Sequence, residues 1–261
     1  MKHCNKNLTL SILFLILAVS FVLISKEKNV IRDIKKVSFA IQRLEMDLTD
    51  NQATVYAKWI NKTPLTVLSV PLYYQKYSLS CEIAALRMAL AYKGVLLTED
   101  KLIADLEFDT KNPPTRDQKT NQKIWGNPNK GFVGIINGKM PLTGYGVYEK
   151  PILDVALKYT PASILASTTI DSLVRAIDEN NPVVVWGSVT KGKDTSWKDE
   201  FGNLIKAIEG EHARVVVGYR GESKNPTNLL LLDPTYGKIQ MTTDEFATDW
   251  GLLDNKAVII Y

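Results

Sequence analysis

The sequence predicts an α+β fold, with helices coming first along the chain and the strands of an antiparallel sheet dominating later. An Ala- and Leu-rich run that begins at Cys81 is typical of a helix. Residues 212–219 and 228–233 are rich in Val and Leu and are typical of strands. The segment between them, 220–227, contains Gly, Ser, Asn and Pro, which predicts a turn and therefore a hairpin.

The length and net charge of the chain limit which folds and binding partners are possible. The chain has 261 residues, enough for one large domain or two small ones with a substantial core. The formal net charge is +4 and the calculated pI is about 8.8, with no concentrated basic segment. This imbalance is too weak to indicate binding to nucleic acid, and we expect none.

A mostly apolar run near the N-terminus, 8–24, is interrupted only by one Thr and two Ser. Lys2 and Lys6 precede it, which is typical of a secretory signal or of an uncleaved membrane anchor. Small residues within the run are spaced like a cleavage site, but apolar residues continue beyond them, which slightly favours the anchor. The leading charges favour an extracytoplasmic position for the rest of the chain, secreted or membrane-anchored, although Lys26 and Lys28 oppose this orientation.

The elements that precede the Cys81 helix and follow it can be assigned in order. Residues 26–50 carry apolar residues near helical spacing, which predicts a stalk helix or an amphipathic helix packed on the domain. Short strands are expected at 55–60 and 65–70, and a short helix at 98–106.

Residues 107–150 are rich in Asn, Pro and Gly and predict a long irregular region. Its Trp125, Phe132, Tyr145 and Tyr148 argue against disorder. The region can line a substrate cleft or serve as a structural cover, and the sequence leaves both open.

The remaining elements follow from caps, turns and β-branched runs. They are a helix that starts at Pro151, a helix from a capping box at Thr168 and Asp171 to about residue 180, a strand at 182–189, a hairpin at 197–208, a strand at 238–241, a helix at 243–250 and a strand at 257–261.

The small numbers of Cys and His residues limit the catalytic and metal-binding chemistry that the chain can support. The chain has two Cys and two His, and both Cys4 and His3 lie ahead of the apolar run. Only Cys81 and His212 are left for the rest of the chain. One Cys and one His provide no ligand cluster, so neither a metal nor a cofactor is expected. A lone thiol outside the cytosol has no disulfide partner here, which suits a catalytic cysteine.

Cys81 is predicted to lie at the N-terminus of its helix, after Ser80 as the capping residue. The helix dipole and the unpaired N–H groups of the first turn favour thiolate there, and the same N–H groups can stabilise an oxyanion. The side-chain amide of Gln75 can supply a second donor. The alternative is that Cys81 is a small buried apolar residue.

His212 is predicted to begin a strand, and Asp233 to end the next one. Hairpin pairing of the two strands would bring the carboxylate beside the imidazole, where it can hold the ring and its tautomer. A cysteine nucleophile needs such a base. The alternatives are a hydrogen-bonded histidine at a strand end and an aspartate that opens an Asp-Pro turn.

Several motifs resemble, in order, those of bacterial papain-like cysteine peptidases related to the double-glycine leader peptidases. They are Tyr74-x-x-Tyr77-x-Leu79-x-Cys81-Glu82-x-x-Ala85-Leu86, Trp125-Gly126-Asn127-Pro128, Gly131-Phe132-Val133-Gly134, Gly144-Tyr145-Gly146-Val147-Tyr148, Gly210-Glu211-His212-Ala213, Val217-Gly218-Tyr219, Asp233-Pro234-x-x-Gly237 and Glu245-Phe246-x-x-x-Trp250. The resemblance implies a papain-like fold, with N-terminal helices packed on an antiparallel β-sheet. It also implies Cys81 as nucleophile, His212 as base, Asp233 as the orienting residue and Gln75 in the oxyanion hole.

The resemblance implies thiol-dependent hydrolysis of peptide bonds in peptide or protein substrates, with cell-wall peptides among the candidates. Two alternatives stay open: a cell-wall amidase or acyltransferase that uses the same triad, and a non-catalytic surface-binding module. The expected organisation is a signal peptide or membrane anchor at 1–25, an amphipathic helix or stalk with a lead-in at 26–64, and a papain-like peptidase domain at 65–261.

Overall fold

The computed structural model describes residues 64–165 and 168–261. The predicted signal or anchor at 1–25, the predicted helix at 26–50 and the predicted strand at 55–60 lie outside the described residues. Within the described ranges, no helix is both long enough and apolar enough to cross a membrane.

The described part confirms the predicted α+β class, with five helices and strands that are mostly antiparallel. The helices are α1 (Cys81–Tyr92), α2 (Glu99–Asp105), α3 (Glu149–Ala156), α4 (Ile170–Asp178) and α5 (Thr243–Gly251). The strands are β1 (Leu65–Val67), β2 (Phe108–Thr110), β3 (Thr115–Arg116), β4 (Lys123–Ile124), β5 (Phe132–Gly134), β6 (Gly144–Gly146), β7 (Ala162–Ile164), β8 (Val183–Ser188), β9 (Trp197–Lys198), β10 (Leu204–Ile205), β11 (Glu211–Glu222), β12 (Asn225–Asp233), β13 (Gly237–Thr242) and β14 (Ala257–Ile260).

The main sheet has the strand order β13-β12-β11-β8-β14-β7, and β1 pairs with the second half of β11. All of these pairings are antiparallel. The central strand β8 is buried along its whole length, so it is apolar on both faces rather than alternating. The layer of helices that covers the sheet includes α1, which packs against β11.

Helix α1 forms because its sequence is rich in Ala, Leu and Met, which are strong helix formers. Nine of its twelve residues are buried, so it is a core helix rather than a surface helix. The predicted cap at Ser80 is only partly correct. Ser80 is the N-cap residue, but its hydroxyl bonds the backbone of Tyr77 and no N–H group of the helix.

The predicted hairpin of β11 and β12 is present, with strands longer than expected. The turn contains only Ser223 and Lys224, because residues 220–222 and 225–227 continue the ladder. The register places Val215 opposite Leu232. Because side chains on a strand alternate between faces, this register determines which residues of the two strands meet on one face.

The region 107–150 is ordered and contains five short strands, which sequence reasoning treated as irregular. Two of its aromatic residues pack against Trp197: the ring centroids of Trp125 and Tyr145 lie 5.3 Å and 4.8 Å from that of Trp197. Tyr148 also bonds the backbone carbonyl of Lys206. These contacts pack the region against β9 and the segment after β10.

Two helix starts differ from prediction. Helix α3 begins at Glu149, two residues before Pro151. Helix α4 is capped by Thr169, whose hydroxyl accepts the N–H of Ser172 in a reciprocal capping box, rather than by Thr168. Helix α2 is capped by Thr98 and helix α5 by Thr242, whose hydroxyls accept the N–H groups of Lys101 and Glu245.

Candidate functional site

The β11–β12 hairpin places His212 and Asp233 against each other. In the register of the hairpin, Asp233 comes opposite Arg214, so its carboxylate shares a face with both His212 and Arg214. His212 Nε2 and Asp233 Oδ1 are 3.0 Å apart, and both side chains are buried. The other ring nitrogen of His212, Nδ1, makes no hydrogen bond to any described residue, which leaves it free for proton transfer.

Asp233 is held as a carboxylate. It accepts hydrogen bonds from the backbone N–H groups of Thr235 and Tyr236, at 2.7 and 2.9 Å, and from Arg214 Nε at 2.9 Å. Burial alone would raise the pKa of Asp233, but the hydrogen bond and charge of His212 and the backbone donors lower it to about 2. The side chain is therefore ionised at neutral pH and can orient the imidazole ring.

Arg214 extends this network beyond the hairpin. Its Nη1 donates to Asp249 on α5 at 2.8 Å, and its Nη2 donates to the carbonyl of Ser188 on β8 at 2.8 Å. Since the side chain is only 8% exposed, the guanidinium is a buried fork that holds three neighbours at once. Sequence analysis did not single out Arg214, although its position two residues after His212 puts it on the same strand face.

Cys81 lies at the first residue of α1, as predicted, and packs against the start of β11. Its Sγ accepts the backbone N–H of Ala213 at 3.5 Å, which places the sulfur beside the residue that follows His212. The thiol donates to Glu82 Oε2 at 3.2 Å. Cys81 is only 4% exposed, and the structure therefore holds a buried thiol whose proton is directed at a carboxyl group.

The charge state of Cys81 differs from the prediction. The helix dipole was expected to favour thiolate, but burial and the charges of Glu82 and Glu211 raise the pKa of Cys81 well above its usual range. The N–H of Ala213 opposes this effect only in part. The prediction of a preformed thiolate is therefore wrong for this structure, in which the thiol is the favoured form.

His212 is also shifted toward its neutral form. Burial lowers the pKa of His212, while the hydrogen bond and charge of Asp233 raise it in part. A neutral imidazole can accept a proton. Cys81 and His212 are thus both uncharged in this structure, which differs from a preformed thiolate–imidazolium pair.

Two further acidic residues lie next to the thiol. Glu82 and Glu211 are buried, and ligand atoms of Cys81, Glu82 and Glu211 all lie within 4.8 Å of one another. Burial raises the pKa of Glu82 to about 7, and burial together with the charge of Glu82 raises the pKa of Glu211. Such a set can hold a cation in principle. Counting Cys and His residues did not reveal it, because two of its members are carboxylates.

Gln75 precedes α1, and its side chain is turned toward neighbouring loops. Its amide Nε2 donates to the carbonyls of Tyr77 and Ser78 at 2.7 and 3.2 Å, and its Oε1 accepts the hydroxyl of Thr235 at 3.0 Å. Its backbone N–H donates to Pro234, so Gln75 joins the α1 segment to the end of β12. Both amide hydrogens are engaged, and among the described residues no hydrogen bond joins Gln75 to Cys81.

The fold and the residues around the buried thiol define a cysteine peptidase with a papain-like fold. The chain belongs to the Peptidase_C39 like family, whose family model matches residues 67–258. The family resemblance indicated by the motifs is therefore confirmed, and so is the predicted fold class. A search of curated proteins finds no match.

Three solved structures are similar to this chain. One is a protein from Bacillus anthracis described as a C39-like peptidase, with 25% identity, a TM-score of 0.63, and coverage of 76% of this chain and 98% of that chain. A double glycine motif protease from an AMS/PCAT transporter, solved with its leader peptide, has 15% identity and a TM-score of 0.41, and the match covers 76% of this chain and 96% of that one. The peptidase domain of Streptococcus ComA has 15% identity and a TM-score of 0.42, with 73% and 98% covered.

Proposed function

We propose that this cysteine peptidase hydrolyses peptide bonds with a triad of Cys81 as nucleophile, His212 as general base and acid, and Asp233 as the residue that orients the imidazole. One observation carries the proposal. The sulfur of Cys81 accepts the N–H of Ala213, directly after His212, while His212 Nε2 pairs with Asp233 at 3.0 Å and leaves Nδ1 without a partner among the described residues.

The reaction begins from uncharged groups. The raised pKa of Cys81 and the lowered pKa of His212 favour thiol and neutral imidazole in the resting enzyme. His212 then accepts the thiol proton as the sulfur attacks the carbonyl carbon, which is general-base catalysis. Asp233 stabilises the imidazolium that forms.

The imidazolium protonates the leaving amine, and the C–N bond breaks to give a thioester on Cys81. Water, deprotonated by the same imidazole, attacks the thioester and releases the carboxylic acid and the thiol. We assign the oxyanion hole to the N–H of Cys81 and to the side-chain amide of Gln75. An N–H group in the first turn has no partner within the helix. For Gln75 to take part, its Nε2 must exchange one of its bonds to the carbonyls of Tyr77 and Ser78.

The substrates we propose are peptides or proteins, including cell-wall peptides. The apolar run 8–24 and the lysines before it support an extracytoplasmic enzyme, either secreted or held at the membrane by residues 1–25. N-terminal sequencing of the protein from the secreted and membrane fractions tests this location. A mature N-terminus after residue 20 would indicate cleavage, and an intact N-terminus in the membrane fraction would indicate an anchor.

The activity is tested by incubating the protein with a pool of unstructured peptides and with purified peptidoglycan, and by identifying the products by mass spectrometry. We expect new peptide termini that carry the elements of water, and none with the Cys81→Ala variant. Products in which the acyl group has moved to an amine acceptor would instead indicate a transferase. Equal cleavage by the Cys81→Ala variant would contradict the proposal.

A further inference from the structure

Glu211 presents an unusual buried group that the proposed triad does not use. The residue is 3% exposed, and both of its carboxyl oxygens are buried without any hydrogen-bond partner in the described structure. A carboxylate left this way loses its hydration with no compensation, which is strongly unfavourable. Some proton or cation must therefore satisfy the group.

A second carboxyl group lies close to that of Glu211. Glu82 is 0% exposed, and its oxygens approach those of Glu211 above the α-carbon of Gly146. A methyl group added to Gly146 would come within 2.7 Å of Glu211 Oε2 and closer still to Glu82 Oε1. Glycine at this position thus leaves the space in which the two carboxyl groups meet.

Glu82 has donors of its own, whereas Glu211 has none. The N–H of Val147 donates to Glu82 Oε1 at 2.7 Å, and the Cys81 thiol donates to Oε2 at 3.2 Å. These two donors suit an ionised Glu82. They leave Glu211 as the member that must carry a proton.

The other charged and titratable groups around the pair do not neutralise it. Arg214 on β11 attracts Glu211, but all of its hydrogen bonds go to Asp233, Asp249 and Ser188. His212 is paired with Asp233. Beyond Cys81 on α1, the remaining groups are the hydroxyls of Tyr145 and Tyr148. They bond each other, and Tyr148 donates to the carbonyl of Lys206 while Tyr145 accepts the N–H of Ile208, both in the segment after β10.

We propose that Glu82 and Glu211 share a single proton, and that this carboxyl pair is a positioning device that holds the Cys81 thiol through Glu82. Two buried carboxylates with oxygens within 4.8 Å of each other cannot both ionise without a cation. The shared proton limits the pair to one negative charge beside the sulfur. Its effect on catalysis rests on the proposed function, because a doubly charged pair would oppose development of the thiolate during attack.

Infrared spectroscopy near pH 8, above the pKa of about 7 of Glu82, tests the shared proton without any substrate, so failure of the peptidase proposal would leave this test intact. We expect wild-type protein to show the C=O stretch of a buried protonated carboxyl. The band should vanish completely in Glu211→Gln and also in Glu82→Gln, because the amide donates to the remaining carboxylate and no proton is needed. The exposed Glu209→Gln variant is the matched control and should keep the band.

Three results would overturn the proposal. One is the absence of the band from the wild type, and another is the retention of about half of it in each single variant, which would mean two independent protonated groups. The third is a divalent ion bound stoichiometrically to the wild type and lost in Glu211→Gln, which would make the pair a cation site. If Glu82→Gln fails to fold, the comparison of Glu211→Gln with the wild type still shows whether the infrared band is lost completely or only by half.

The positioning role has its own readout in the alkylation of Cys81 by iodoacetamide. Glu211→Gln prevents the pair from gaining a second negative charge at alkaline pH. At a fixed alkaline pH above that at which the wild type loses its infrared band, we expect alkylation of Glu211→Gln to be about tenfold faster than that of the wild type, the effect of a thiol pKa lower by about one. A rate equal to that of wild type and Glu209→Gln would contradict the positioning role.

Discussion

The carboxylate of Asp233 bridges His212 and Arg214, accepting from His212 Nε2 at 3.0 Å with one oxygen and from Arg214 Nε at 2.9 Å with the other. The bridge follows from the hairpin register, which puts Asp233 on the same face as both residues. A single side chain therefore couples the orientation of the proposed base to a buried ion network. Mutation of this carboxylate should affect stability and catalysis together.

We expect Asp233→Asn to lower the free energy of unfolding by about 3 to 5 kcal/mol, because it breaks a buried ion pair and leaves Arg214 partly uncompensated. Peptide hydrolysis should also fall by several orders of magnitude, because the amide can hold the wrong imidazole tautomer. Urea unfolding and steady-state kinetics measure the two effects. The exposed Asp244→Asn variant is the control, and an Asp233→Asn enzyme as stable and active as that control would contradict this role.

Arg214→Lys should show that the guanidinium fork matters and not only its charge. Lysine cannot reproduce the three directed bonds to Asp233, Asp249 and the Ser188 carbonyl. We expect a loss of at least about 2 kcal/mol in the free energy of unfolding, since bonds to charged groups contribute roughly 1.5–3 kcal/mol each. Arg175→Lys, on the exposed side of α4, is the matched control. Unchanged stability of Arg214→Lys would show that the network is not held by the fork.

The pH dependence of alkylation and of hydrolysis should differ. Because the pKa of the Cys81 thiol is raised, we expect alkylation of the free enzyme, followed on the Cys81 peptide, to stay slow at neutral pH. The alkylation rate should increase only at pH values above the usual pKa range of a thiol. Because the pKa of His212 is lowered, the imidazole stays neutral at pH values somewhat below 6.5, the ordinary pKa of histidine. It can therefore still act as a base, and hydrolysis should persist into mildly acidic solution. An alkylation rate that has already levelled off at about pH 7 would indicate a preformed thiolate.

Gln75→Ala tests the oxyanion donor. Removal of one such donor costs about 10²- to 10³-fold in kcat in other hydrolases. We expect a loss of this order for peptide hydrolysis, with alkylation of Cys81 nearly unchanged, since alkylation forms no oxyanion. The control is Gln118→Ala, at an exposed position in the segment before β4. If Gln75→Ala retained full kcat, the assignment of its amide to the oxyanion hole would be abandoned.

Sequence reasoning placed Asp233 beside His212 because the two strands are joined by a short turn, and hairpin pairing is determined locally. It placed Cys81 at a helix start for the same reason, since caps and helix formers are local signals. It did not place Glu211 against Glu82, because that contact depends on how α1 packs on β11. The helix dipole argument for a thiolate at Cys81 failed for this reason: burial and two carboxyl groups outweigh a partial charge.

The hydrogen-bond network of Arg214 could not be predicted from the sequence, because its partners Asp249 and Ser188 lie on α5 and β8, which are distant along the chain. The short strands within 107–150 were missed because two- and three-residue strands carry almost no periodic pattern. The predicted boundaries at 1–25, 26–64 and 65–261 remain a prediction. The family model covers 67–258.

The proposed mechanism depends on a thioester at Cys81, and the most direct test is the mass of the enzyme during turnover. A peptide ester built on a cleaved sequence should be mixed with the protein, quenched in acid and analysed by mass spectrometry. We predict an acyl adduct that maps to Cys81 and is absent from the Cys81→Ala variant. Continued hydrolysis by Cys81→Ala, or an adduct on another residue, would contradict the mechanism.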